Sequence, residues 1–350
     1  MEYLAKAIDL LKALIQTPSF SGDECKTADL IQEWLKSIDI ESKRHKNNVW
    51  ASNKYFDAAK PSILINSHHD TVRPNQGYTN NPFEAKIKEG KLYGLGSNDA
   101  GASLVSLLAL FVHFYQRSDL KYNLVFAASA EEEKSGLNGM RSLMKVLPKF
   151  EFAIVGEPTE MQMAIAEKGL LVLDGYAQGI AGHAAHENTE NALYFALEDI
   201  QWMREYDFSK VSSTLGKVKM SVTQIQAGEQ HNVVPAECHF VVDVRVNEHY
   251  TNQEVYEQIN ANTKSKIVAR SFHLSSSGIA ENHPLVLAGV KHGRGLFGSP
   301  TLSDQAFLTC PSLKMGPGKS SRSHSANEYV LLQEIEEGID LYIKIMNEIL

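Results

Sequence analysis

The stretch Pro61-Ser62-Ile63-Leu64-Ile65-Asn66-Ser67-His68-His69-Asp70 decides how this chain is read. Its first half is an unbroken apolar run of strand length. Its second half holds groups that bind metals or move protons. An apolar run without alternation belongs to a strand buried on both faces, as in a parallel sheet covered by helices on either side. His68 and Asp70 stand two apart, so an extended backbone puts them on one side and His69 on the other. Working outward, the same pattern recurs. The β-rich run Asn123 to Ser129 leads into Glu131-Glu132-Glu133, and Phe152-Ala153-Ile154-Val155 leads into Gly156-Glu157-Pro158. Between these runs lie helical spacings: Leu4, Ile8, Leu11 and Ile15, ended by Pro18; then Ala28, Ile31, Trp34 and Leu35 after Ser21-Gly22-Asp23. A strongly apolar helix is predicted over residues 100–116, directly after Asp99, and a hairpin around Gly90-Lys91. An amphipathic helix over 331–350 closes the chain. Strands alternating with helices predict an α/β fold with a mixed, mainly parallel sheet sandwiched by helices. In such sheets, sites collect beyond the carboxyl ends of the strands. The histidine and carboxylate fragments fall there.

After about Lys168 the rhythm changes. Strand-like runs at 170–177, 220–226, 240–246 and 266–274 and helical runs at 191–206 and 253–262 follow the order β-α-β-β-α-β. That order is the ferredoxin-like split pattern. It predicts an inserted α+β domain over 169–277, with 1–168 and 278–350 forming one discontinuous catalytic domain.

The 350 residues carry 34 basic and 42 acidic side chains, a formal charge of -8. That balance argues against nucleic acid, which demands a basic face. No apolar run reaches the roughly 20 residues a bilayer crossing needs, so no membrane partner is expected. The N-terminus shows no signal-peptide pattern. Cys25, Cys238 and Cys310 form no CxxC pair and are expected to be packed thiols in a reducing cytoplasm.

Imidazole and carboxylate are the donor set for zinc and similar divalent ions. His68 suits a ligand, with Asp70 accepting from its other ring nitrogen. Asp99, with two oxygens, suits a bridge between two cations. Adjacent glutamates suit a division of labour, because a general base must not itself be tied to the metal. Glu157 and His324 extend the set, and Gly316-Pro317-Gly318 would let backbone approach a ligand closely. His183, or its neighbour His186, could stabilise an oxyanion.

The fragments Ser67-His68-His69-Asp70, Asn98-Asp99, Glu131-Glu132-Glu133, Gly156-Glu157-Pro158-Thr159, Gly182-His183, Asn232-Val233-Val234-Pro235 and His324-Ser325-Ala326-Asn327-Glu328 together resemble the M20 metallopeptidase and amidohydrolase family. The resemblance runs collinearly from about residue 5 to the C-terminus. It implies two Zn2+ ions, with Co2+ or Mn2+ able to take their place. His68 and Glu157 would hold one, Glu133 and His324 the other, and Asp99 would bridge them. Asp70 would orient His68. Glu132 would be the general base, with Glu131 as the alternative one register away. His183 would polarise the scissile carbonyl. Arg245, Asn232, Ser303, Asp304 and Gly318 would line the substrate site, with Arg322 a lesser candidate. The substrate implied is an N-acyl amino acid, N-acetylornithine or a related acetyl or succinyl derivative of arginine biosynthesis. A dipeptide and succinyl-diaminopimelate are the alternatives, and a non-catalytic binding protein on the same fold is the reading of another class. A homodimer through the inserted domain is also implied.

Overall fold

The computed structural model describes residues 2–187 and 190–350. The chain divides into two compact units. One comprises Met1–Ile165, Gly278–Phe297 and Ser303–Leu350; the other comprises Ala166–Ser277 and Gly298–Leu302. The short return of Gly298–Leu302 to the second unit is not visible in the sequence.

The first unit is built on a sheet of mixed direction. Seven of its nine strands are, in spatial order, Lys43–His45, Asn48–Ser52, Asn123–Ser129, Ser62–His68, Phe152–Val155, Ser312–Lys314 and Met163–Glu167. The four strands from Asn123–Ser129 to Ser312–Lys314 run parallel. Their neighbours on either side are antiparallel. The alternation of strand side chains explains the layering. Ile63, Ile65, Leu124, Phe126 and Ala128 join one core with Leu11, Ile31, Leu107, Phe111 and Tyr342 from helices Glu2–Gln16, Cys25–Ser37, Ala102–Phe114 and Leu332–Asn347. Leu64, Val125, Ala127 and Ala153 point the other way, onto Met140 and Leu143 of the short helix Met140–Leu143. The expected sandwich is therefore present, and each central strand is apolar on both faces. The apolar stretch Ser97–Phe114 is long enough by length and composition to cross a membrane, but 83% of it is buried as the core of this unit.

The second unit has a four-stranded sheet in the order Lys219–Ala227, Glu237–Val246, Gly169–Gln178 and Lys266–Ala269, all antiparallel. Two helices, Ala192–Glu205 and Asn252–Asn262, accompany it. That is the ferredoxin-like topology. Its last strand stops at Ala269, earlier than the predicted 274. Of the three cysteines, Cys238 is buried and Cys310 half-buried. Cys25 is exposed, which corrects the expectation of three packed thiols.

Candidate metal centre

Four parallel strands deliver their carboxyl ends to one edge of the sheet, and the candidate ligands follow from that. His68 is the last residue of Ser62–His68. Glu132 and Glu133 follow Asn123–Ser129, and Glu157 follows Phe152–Val155. His324 comes from the connection beyond Ser312–Lys314. Donor atoms of His68, Asp99 and Glu133 lie within 4.8 Å of one another, as do those of His68, Glu132 and Glu157. The two groups share His68.

Asp99 is the hub. His68 Nε2 is 3.3 Å from Asp99 Oδ1, and His324 Nε2 is 3.7 Å from Asp99 Oδ2. His324 Nε2 also lies 3.0 Å from Glu133 Oε2. His68 Nε2 is 3.8 Å from Glu157 Oε1 and 4.0 Å from Glu132 Oε2. Asp99 does not open the apolar helix as predicted. It sits in a separate turn, Ser97–Gly101, with φ -117° and ψ 100°, and the helix starts at Ala102. Its peptide bond to Ala100 is cis. Its carboxylate caps no helix and is left to the site.

Glu131 turns away. Its carboxylate accepts from the Asn138 backbone N–H at 3.1 Å and from Asn138 Nδ2 at 3.0 Å. Only Glu132 and Glu133 of the triplet reach the cluster, each in one of the two groups of converging donors. His69 also points away, between Thr27 Oγ1 and the Asn47 carbonyl, both at 2.9 Å.

Asp70 has a second set of partners besides His68. The main-chain carbonyl of Asp70 takes the short contact with His68 Nδ1, at 2.9 Å, while the nearer carboxylate oxygen is at 3.4 Å. The carboxylate instead accepts from the backbone N–H groups of Glu132 and Glu133, at 3.0 and 3.2 Å, and from Ser21 Oγ at 2.5 Å. It holds the glutamate turn in place as much as it orients the imidazole. Ser21 and the buried Glu24, whose Oε1 accepts from the Glu131 N–H at 3.2 Å, belong to this support. Neither was singled out from the sequence, where they lie about a hundred residues from the turn they brace.

Crowded acids set the electrostatics. Burial pushes the Glu157 carboxyl up to about 8; His68 and Lys314 pull it down, and Asp99 and Glu133 push it further up. Burial also raises Glu132 well above the usual carboxylate range, against the pull of His68 and with Glu157, Asp304 and Glu133 adding to it. Burial works against a proton on His68, yet its hydrogen bonds to Asp70 and Asp99 and the fields of Glu132 and Glu157 raise it well above an ordinary imidazole. The hydrogen bond to Glu133 lifts His324 to about 9. The cluster thus draws in protons to offset surplus negative charge. A divalent cation offsets the same charge, and the donors are imidazole nitrogens and carboxylate oxygens, so the residues fit such ions.

Several residues expected at the substrate site have protein partners of their own. Ser303 is buried and caps the short helix Asp304–Phe307, accepting from the Gln305 N–H. Asp304 is buried too, accepts from Ser129 Oγ at 2.5 Å, and adds its field to Glu132 from below the surface. Both support the local structure of the centre. Arg322 pairs both guanidinium nitrogens with Glu334, at 2.7 and 3.0 Å, and stacks on Tyr329. Gly318 has φ 90°, and a Cβ there would come within 2.5 Å of Asn98 Oδ1, which accepts from the Lys319 N–H at 2.9 Å. The glycine is needed for that close approach.

Within the second unit, Gly182–His183 pairs antiparallel with Val233–Val234. The Ala184 N–H donates to the Asn232 carbonyl at 2.9 Å, so His183 and Asn232 are neighbours, both exposed. The His186 ring is 5.6 Å from that of His183. Arg245 already holds Asp243 through Nε and Nη2, at 2.8 and 2.9 Å. Alternation along the strand places Asp243 on the same face.

A centre able to take divalent cations at the carboxyl edge of a helix-covered sheet suits a metal-dependent hydrolase, and a family profile supplies that class. Residues 64–348 match that of peptidase family M20/M25/M40, and the chain belongs to this family. Acetylornithine deacetylase of Proteus mirabilis is 27% identical over 365 residues, covering 94% of this chain and 93% of the relative. Among solved structures, aminopeptidase PepT of Bacillus cereus has a TM-score of 0.78 at 16% identity, covering 99% and 98% of the two chains. The Bacillus subtilis YXEP protein, described as a dinuclear metal binding peptidase, has a TM-score of 0.73 at 19% identity, covering 99% and 98%. These structures share the fold.

Proposed function

We propose that this chain is a dinuclear amidohydrolase that cleaves the acyl–amine bond of an N-acyl amino acid, with N-acetylornithine or a close acetyl or succinyl analogue as substrate. The observation that supports it most is Asp99 addressed by an imidazole at each oxygen, His68 at 3.3 Å and His324 at 3.7 Å. His68 and Glu157 would hold one ion, Glu133 and His324 the other, and Asp99 both. Zn2+ is the expected ion, with Co2+ or Mn2+ able to use the same donors. Such ions supply Lewis acidity to an amide carbonyl and acidify water.

The remaining chemistry belongs to side chains. Glu132 takes a proton from the attacking water and returns it to the departing amine. Asp70 keeps Glu132 aimed by holding its backbone N–H. Asp304, buried nearby, favours the protonated form of Glu132. His183 is assigned, from the sequence resemblance, as donor to the carbonyl oxygen. The second unit exposes Tyr194, Leu197 and Ile225, apolar surface that a homodimer would cover. Free thiols at Cys25, Cys238 and Cys310 suit a reducing, cytoplasmic setting.

A second reading, an aminopeptidase or dipeptidase, is supported by the fold-wide likeness to PepT. One panel separates the two. Acetylornithine, acetylcitrulline, succinylated amino acids and simple dipeptides are assayed with added zinc or cobalt, alongside metal analysis. Turnover of acyl amino acids above dipeptides supports the deacylase. The reverse order supports the peptidase. No bound metal and no hydrolysis of either class would remove both and leave a binding protein.

A further inference from the structure

We infer that Glu328 is a positioning residue: its carboxylate shapes the turn at Gly96–Asp99 and thereby holds the Asp99 carboxylate between His68 and His324. Glu328 is 2% exposed. Its Oε2 accepts from the Gly96 N–H at 3.0 Å, and its Oε1 accepts from the N–H groups of Asn98 and Asp99 at 2.8 and 2.9 Å. Three backbone donors therefore converge on one side chain some 230 residues further along the chain.

The turn needs this acceptor. Gly96 is left-handed at φ 74°, Asp99 is far from helical, and the Gly101 N–H closes the loop onto the Gly96 carbonyl at 3.0 Å. That folding aims successive N–H groups into one concave spot, a nest that calls for an anion. Buried N–H groups are nearly always paired. Here the partner is a carboxylate set beside another carboxylate, so charge balance does not explain it. Nor does Glu328 belong to either group of converging donors. Geometry is what it provides.

The same segment carries His324. Asn327 Oδ1 accepts from the Thr79 and Asn80 N–H groups at 3.1 and 2.9 Å, and Asn75 Nδ2 donates to the His324 carbonyl at 2.9 Å. The run from His324 to Glu328 is thus one strap that fixes an imidazole at one end and the Asp99 turn at the other.

The inference rests on the two-ion reading above, and its test is separable from it. Metal-free protein is titrated with Co2+ and followed by calorimetry and visible absorption. Wild type is expected to take two equivalents. Glu328→Gln turns one accepting oxygen into an NH2 that faces N–H groups. Its dissociation constant for at least one equivalent should rise tenfold to a hundredfold, as for other partners behind metal ligands, and the cobalt bands should shift. Glu334→Gln, which loosens the strap at Arg322 and at the cap of the last helix, should change neither equivalent by that much. A rise below tenfold at both equivalents in folded Glu328→Gln, or an equal loss in Glu334→Gln, would overturn the inference. If Glu328→Gln fails to fold, hydrogen exchange on metal-free wild type decides instead. The Gly96, Asn98 and Asp99 amides are expected to exchange slowly, and rapid exchange overturns the inference. Wild type that takes up no cobalt would sink the two-ion reading, while slow amides would still uphold the turn's dependence on Glu328.

Discussion

Stripping the centre of cations should make the first unit less stable as pH rises from about 7 to about 9. Burial holds Glu157 at about 8, and burial together with Asp99 holds Glu328 at about 8, against 4.5 for an ordinary glutamate. The unfolded chain has both ionised throughout this window, whereas the folded chain still keeps protons. The folded state therefore binds more protons than the unfolded, and stability falls with rising pH. A group crossing its folded pKa midway through two pH units contributes about 1.4 kcal/mol, so two contribute about 3 kcal/mol. His324, raised to about 9, acts in the same direction, but its side chain is 55% exposed and is left out of the sum because solvent screens it. For a unit of this size the loss corresponds to a fall in Tm of roughly 6–12 °C. Saturation with zinc or cobalt should flatten the slope, because the ligands are then ionised in the folded state as they are in the unfolded. Scanning calorimetry, which can separate the transitions of the two units, measures both cases. Glu157→Gln should make the metal-free slope shallower. A metal-free Tm that holds level or climbs over this window would refute the reasoning, as would a Glu157→Gln slope equal to wild type.

Further outcomes follow from the same geometry. Glu132→Gln should keep its metal and lose turnover by about 10²–10⁴-fold, the usual worth of a general base; equal loss of metal, seen by elemental analysis, would make Glu132 a ligand. His183→Ala should lower turnover while leaving the metal content of the first unit intact, and released zinc would show that the imidazole is a ligand. Asp70→Asn, which removes a charged acceptor from the Glu132 and Glu133 N–H groups, should weaken cobalt binding about 10–100-fold and cost about 2–3 kcal/mol in urea melts of the metal-free protein. Ser21→Ala cuts only one of the Asp70 contacts and should have a smaller effect on both measurements. An effect as large as that of Asp70→Asn would mean that Ser21 does more than support Asp70.

What the sequence revealed and what it concealed divide along a physical line. The sheet was legible because its central strands are apolar on both faces, and Ile63-Leu64-Ile65 or Leu124-Val125-Phe126 admit few other placements. The liganding types were legible because imidazoles and acids stand at the ends of those runs, where a parallel sheet gathers them. Supports were not. Asp70 and Asp304 look like site acids, but whether a carboxylate faces an ion, a substrate or a backbone N–H depends on rotamer and on partners tens to hundreds of residues away. Arg245 and Arg322 look like carboxylate clamps, and each already holds an acid of its own, Asp243 at i−2 and Glu334 at i+12. The turn at Asp99 shows the limit most sharply. Local propensity favours helix from Asp99 onward, and the observed backbone leaves that path for a few residues before the helix begins at Ala102. A local preference gives way there because Glu328 offers three N–H groups an acceptor that helix would not need. The departure from regular structure frees the Asp99 carboxylate from capping and leaves both its oxygens facing imidazoles. On this account, the place where the helix starts two residues later than predicted is also the place where the centre is assembled, and the departure has one identifiable cause in a side chain at the far end of the chain.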